Sequence, residues 1–163
     1  MAIVKWLAVG IAVLVLLAVA AGRLGLLQGK APGNLGVREG RLKPPAKTPN
    51  SVSSQALLYA DHPMRDAAQI APLPLRGDGP ATLARLKAII EGQPGAQVAR
   101  STPDYLYAQF TTPLMKYVDD VEFWFDPAAG VVQVRSASRV GHGDQGLNRA
   151  RIEAIRTLLA AAP

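Results

Sequence analysis

The chain has 163 residues, 49% of them apolar, which suits one globular domain with its own core plus an N-terminal extension. Its net charge of +6 is unevenly placed: seven of the 18 Lys/Arg but only one of the 12 Asp/Glu precede residue 48, so the remainder carries eleven of each and is formally neutral. A neutral body lacks the concentrated basic face that nucleic-acid binding requires, and a chain with no cysteine excludes disulfides, thiolate catalysis and Cys-ligated metals.

The first element is an uninterrupted apolar run from Trp6 to Ala21, flanked by Lys5 and Arg23. Taken from Ala2 to Leu27 it is long enough to span a bilayer with both basic residues snorkelling, which makes residues 1–28 a transmembrane anchor. The small residues Ala18-Val19-Ala20 also fit a cleaved secretory signal. Orientation is contested. Arg23 and Lys30 favour a cytoplasmic body by the positive-inside rule, whereas the short charged N-terminus is that of an exported protein. Residues 29–56 are rich in Gly, Pro, Lys and Ser without helical or strand periodicity, and are expected to be a basic tether. Its cations either are attracted to anionic lipid, by about 1 kcal/mol per charge close to the surface, or simply keep a solvated linker extended.

Residues 57–163 are expected to form the globular domain. Gln69 to Leu75, broken by Pro72 and Pro74, reads as an edge strand. Asp78-Gly79-Pro80 opens a helix with an apolar stripe of Leu83, Leu86, Ile89 and Ile90, ended at Gly92. Ala96 to Arg100 and Tyr105 to Thr112 alternate as a hairpin, with Leu106, Ala108 and Phe110 on one face and Tyr105, Tyr107 and Gln109 on the other. Tyr117 to Phe125 and Val131 to Val140 are two further strands. A last helix starts near Asp144 as N-cap and turns Ile152, Ile155, Leu158 and Leu159 inward. The order strand, helix, four strands, helix predicts an α+β domain: an antiparallel sheet of four to five strands with both helices on one face.

The hairpin from Val118 to Asp144 concentrates the polar chemistry. If its apolar faces coincide, Phe125 pairs with Val132, Phe123 with Val134, Val121 with Ser136 and Asp119 with Ser138. The opposite face then sets Glu122 across from Arg135, read as a structural surface ion pair worth a few tenths to about 1 kcal/mol. On the core face the apolar ladder ends in Asp119, Ser136 and Ser138, and Asn148 projects toward them from the start of the last helix. This group is either a satisfied polar cluster pinning strand to helix, a ligand pocket, or the setting of a catalytic acid. His142 and Asp144 in Gly141-His-Gly-Asp144 read as a turn with a surface histidine, or as a pair near a helix N-terminus. Ser53-Ser54 reads as loop. Arg149, Arg151 and Arg156 fall on the polar side of the last helix and are expected to be solvated, with an anion-facing role for Arg149 beside Arg139 as the alternative.

Thr48-Pro-Asn-Ser-Val-Ser-Ser-Gln-Ala56, Tyr117-Val-Asp-Asp-Val-Glu-Phe123 and Val134-Arg-Ser-Ala-Ser-Arg-Val-Gly141, followed by Asp144 and Asn148-Arg149, resemble domain-of-unknown-function family 1499 over most of Leu35 to Leu159. The resemblance implies a bacterial membrane-associated or exported protein, with plant plastid relatives and no assigned activity. It also implies a cysteine pair bracketing the Ser/Pro/Asn stretch ahead of Val-Ser-Ser, at positions occupied here by Pro45 and Ser51. Losing both together fits a dispensable disulfide.

The resulting expectation is a single-pass inner-membrane protein, tethered through residues 2–27, whose body faces the periplasm. The body would bind a ligand around Asp119, Ser136, Ser138, Arg139, Asn148 and Arg149 without catalysis, cofactor or metal. An accessory subunit acting through protein contacts, and a hydrolase using Asp119 or Asp144, are the rival readings.

Overall fold

The computed structural model describes residues 1–162. Its elements are α1 (Ala2–Arg23), β1 (Ser51–Ser53), a 3-10 turn (Ala56–Leu58), α2 (Arg65–Ala68), β2 (Leu73–Pro74), α3 (Gly79–Glu91), β3 (Ala96–Ser101), β4 (Tyr105–Thr111), β5 (Val118–Asp126), β6 (Val131–Ser138) and α4 (Leu147–Ala161). The sheet is antiparallel in the order β1-β6-β5-β4-β3, with β2 sharing the β1 edge of β6. The predicted α+β architecture therefore holds, with one strand more than expected.

The register of the central hairpin follows from its alternation. Phe125 lies opposite Val132, Phe123 opposite Val134, Val121 opposite Ser136, Glu122 opposite Arg135 and Asp119 opposite Ser138. Asp126 closes the turn by accepting from the N–H groups of Ala128 and Ala129 at 3.1 Å, and Gly130 supplies the positive φ of 63°. Edge strand β2 keeps its two-residue ladder despite Pro74 because it lies at the margin of the sheet.

Both long helices of the body cover one face. Leu83, Leu86 and Ile90 of α3 and Ile152, Ile155 and Leu159 of α4 join Leu106, Ala108, Val121, Phe123, Val132 and Val134 in a single buried cluster. Asp78 caps α3 by accepting from Ala81 N–H at 2.7 Å. Gly92 ends α3 in a right-handed conformation, so no left-handed cap is needed there. In α4 the N-cap is Gly146, not Asp144, which acts from two residues upstream. Leu158, expected inward, is 42% exposed because the buried stripe runs Ile152-Ile155-Leu159 and leaves residue 158 to its side.

The tether expectation fails over part of residues 29–56. Ser51–Ser53 is strand β1, and the chain before it lies as a strap over the face of the sheet opposite the helices. Leu42 is buried, its N–H donates to Gln55 Oε1 at 2.8 Å, and its carbonyl accepts from the Tyr59 hydroxyl. At the other end, α1 is followed directly by contact with the body. Gly22 is buried against the β4–β5 connection, where an added Cβ would lie 2.6 Å from the Met115 carbonyl oxygen.

Candidate functional site

Strand β5 is buried on both faces from Val118 to Phe123, so its three polar side chains there, Asp119, Asp120 and Glu122, all lie inside the protein. Each meets an arginine: Asp119 with Arg151, Asp120 with Arg139 and Glu122 with Arg135. Alternation sends Asp119 to the helix face and the other two to the strap face.

On the helix face, Arg151 Nη2 donates to Asp119 Oδ2 at 2.5 Å while its guanidinium lies 4.8 Å from the centre of the Phe110 ring. Its Nη1 donates to Asn148 Oδ1 at 2.8 Å and Ser136 Oγ at 3.2 Å, and the Ser136 hydroxyl donates to the same Asn148 oxygen. The Asn148 amide donates to Asp144 Oδ2 at 2.7 Å and to Ser138 Oγ and the Asn50 carbonyl at 3.0 Å. Asn148 is thus the hub joining β6, α4 and the segment before β1. Burial alone would raise the Asp144 carboxyl, but the N–H groups of Asn148 and Gly146 together hold it below the usual carboxylate range.

This network has an open side. Asp119 and Ser138 form the floor of a cavity of about 550 Å³ walled by Leu26 and Leu27 after α1, Tyr117, Val140 and Leu147, with Asp144 at its margin. Asp119 is 3% exposed, and among the described residues its Oδ1 receives no hydrogen bond. Ser138 Oγ accepts from Asn148, and its own hydroxyl proton has no acceptor among the described residues. A free acceptor and a free donor therefore face one largely apolar space. Among the described residues, no lysine, arginine or histidine lines it.

The strap face is closed. Tyr105 OH and Gly36 N–H each donate to Glu122 Oε1 at 2.7 Å, and Arg135 Nε donates to the Pro44 carbonyl at 3.1 Å. Glu122 Oε2 lies 3.6 Å from Arg135 Nη1, both buried and without another partner. The expected surface pair is therefore a buried one, because residues 36–44 cover the face that alternation left open. Burial, with Glu122 beside it, raises the Tyr105 phenol far above its ordinary range, and burial pulls the Arg135 guanidinium down. Arg139 grips Asp120 through Nε and Nη2 at 2.7–3.1 Å and also reaches Tyr107 OH.

The candidate residues thus divide. Asp119, Ser136, Ser138 and Asn148 come together with Asp144, whereas Arg139 lies across the sheet from them. Arg149 donates to the Ala67 and Gln69 carbonyls at 3.0 and 2.9 Å, so it and Arg139 do not form an anion site. Arg151 and Arg156 are not solvated as expected. Arg156 binds the Ala71 and Pro72 carbonyls, and Arg151 is the cation of the site. Its position three residues after Asn148 is the signal that sequence reasoning passed over. His142 is exposed in its turn, and among the described residues no group of three or more metal-ligating side chains occurs. Ser54 is no plain loop residue: its Oγ donates to Gln133 and accepts from Val134 N–H. The positions expected from the resemblance to be cysteines are adjacent, since Ala46 N–H donates to Ser51 Oγ at 2.8 Å. Of the early cations, Arg38, Arg41 and Lys43 line a separate cavity of about 290 Å³ with Tyr59.

Residues 41–159 match the model of a family described as protein of unknown function (DUF1499). No curated protein and no solved structure matches the chain.

Proposed function

The chain belongs to the DUF1499 family of proteins of unknown function, and we propose from its own residues that it is a membrane-anchored module holding an amphiphile at the root of α1. The observation that carries this reading is the 550 Å³ cavity whose floor is Asp119 and Ser138 and whose wall includes Leu26 and Leu27. Its volume lies within the range of small-molecule sites, and its mixture of apolar walls with a few convergent polar groups is what such sites use.

α1 is the single helix among the described residues long and apolar enough to be a membrane anchor or signal sequence. Retention as an anchor is favoured because Gly22 packs on Met115 and the next residues complete the cavity wall. Cleavage after Ala20 would strip α1 and leave Gly22, Leu26 and Leu27 at a free chain end. The body belongs on the periplasmic side, as the short charged N-terminus suits. Protease digestion of the body in spheroplasts but not in inverted vesicles would bear this out, and the reverse pattern would refute it.

The polar floor sets the ligand's chemistry. Asp119 Oδ1 can accept from a hydroxyl, amide or ammonium group, and the Ser138 hydroxyl can donate to it in return. With Asp119 and Asp144 among the lining residues and no Lys, Arg or His there, an anionic head is disfavoured. The ligand is therefore an apolar chain bearing a neutral or cationic, hydrogen-bond-donating head. Binding is favoured over hydrolysis because Asp144 is tied by Asn148 and Gly146, Asp119 is paired with Arg151, and among the described residues the Ser138 hydroxyl makes no hydrogen bond to either carboxylate. An accessory subunit would need the apolar surface alone, not the cavity.

A monoacylglycerol with a diazirine in its acyl chain is the probe. On the full chain in nanodiscs it should label the segments containing Leu26–Leu27 and Tyr117, with competition by unlabelled monoacylglycerol. Ser138→Leu should cut that labelling by about tenfold, the worth of one hydrogen-bonded contact plus occluded volume. Equal labelling of the folded Ser138→Leu protein would overturn the proposal.

A further inference from the structure

Exposed leucines gather near the cavity: Leu26 at 72% and Leu147 at 54% line it, Leu114 at 55% lies on the connection that Gly22 of α1 packs against, and Leu24 at 77% is two residues before Leu26. Tyr117, at 37%, stands among them. They come from three separate segments that converge on one place. Leu26, Tyr117 and Leu147 line the same cavity, and Leu114 precedes Met115, whose carbonyl lies against Gly22. Outside α1, the other exposed leucines among the described residues are the pair Leu57-Leu58 and Leu158. Scattered apolar residues need no explanation, but a contiguous apolar rim does.

We propose that this rim is a membrane-docking surface that seats the body against the headgroup–acyl boundary of the bilayer α1 spans. The occupant is assigned by continuity. α1 is 22 residues long, about 33 Å at 1.5 Å per residue, and no residue of its apolar window is buried. It ends at Arg23, and its last turn touches the β4–β5 connection at Gly22. No slack chain separates helix from body, so the first surface beside the emerging helix is this rim. Arg23 and Lys116 flank the leucines as cations do at an interface, and Tyr117 supplies the amphipathic ring that interfaces favour. Docked in this way, the cavity mouth faces the bilayer, and a ligand enters laterally from the lipid phase instead of crossing water. The inference rests on α1 being retained as a membrane anchor.

The test uses the full chain in phosphatidylcholine nanodiscs whose lipids are brominated near the carbonyl, with single-tryptophan reporters. Trp6 in α1 reports insertion. Trp124, at the far end of β5 from the rim, reports the body. Leu114→Trp and, separately, Leu147→Trp report the rim on a background in which Trp6 and Trp124 are phenylalanine. The rim sits about 5–10 Å into the boundary, so both rim reporters should lose about twofold or more of their emission while Trp124 is unchanged. Rim reporters no more quenched than Trp124, with Trp6 quenched, would overturn docking and leave the anchor intact. Self-association relieved by Leu114→Arg, with unquenched rim reporters, would assign the rim to a second copy and overturn the proposal. An unquenched Trp6 would show that the anchor reading itself fails, and docking would fall with it.

Discussion

The two faces of the sheet carry the same kind of chemistry under opposite conditions. Both bury acid–arginine pairs drawn from β5, yet the strap covers Glu122–Arg135 and Tyr107 bonds both members of Asp120–Arg139, whereas Asp119–Arg151 borders an open cavity. The residues that close the strap face are main-chain groups of residues 36–44. On the helix face the corresponding space is left between α1, the β4–β5 connection and α4. A buried pair with every approach sealed is a device of fold specification, and its net worth in stability is small. A buried pair with a free acceptor beside an apolar space is equipped to hold something.

Substitutions should separate the faces. The largest stability effect is expected from Arg135→Met, which strands the Glu122 carboxylate where nothing can solvate it. Denaturant unfolding should show a loss of about 3–5 kcal/mol, with much of it restored in the double variant Glu122→Leu/Arg135→Met. Tyr105→Phe should cost about 1.5–3 kcal/mol, since it removes a hydrogen bond to a charged group. Tyr105 also gives the strap face a pH signature. Its folded-state pKa is raised by burial and by Glu122, so its contribution is complete below the ordinary phenol value of about 10 and is lost as pH rises through the folded value. Wild-type stability should therefore fall steeply in alkali, and Tyr105→Phe should flatten that fall. A parallel alkaline decline in the variant would sever the link.

On the cavity face the signs change. Asp144 has a lowered folded-state pKa, so its contribution is present above the ordinary carboxylate value of about 4 and disappears as pH falls through the folded value. Asp144→Ala should cost about 1 kcal/mol as a lost cap and blunt the acid-side decline. Ser138→Ala should change stability by less than about 0.5 kcal/mol while weakening monoacylglycerol labelling several-fold. A Ser138 variant that unfolds instead would make the two faces alike.

The central hairpin was legible because period-two alternation fixes both facing and register. Its environment was not. Alternation places Glu122 and Arg135 on one face but does not say that residues 36–44, with no periodicity of their own, fold back over it. β1 was hidden for the same reason: Ser-Val-Ser among prolines has no strand signal, and its ladder to β6 spans more than 80 residues. Asp119, Ser136, Ser138 and Asn148 could be grouped from strand facing and one helical turn. A helix wheel puts Arg151 in solvent because it ignores the reach of a guanidinium, which here extends from the margin of α4 to Asp119 on β5. Arg139 and Arg149 were paired across a sheet that separates them. The cavity could not be foreseen at all, since it depends on the end of α1 meeting the body.

The most direct test is hydrogen–deuterium exchange of the full chain in nanodiscs, with and without monoacylglycerol. Binding at the open face predicts slowed exchange in residues 112–119 and 138–147, with residues 36–46 unchanged. Protection centred on residues 36–46, or no protection at ligand levels that saturate photolabelling, would contradict the assignment of binding to the Asp119 face.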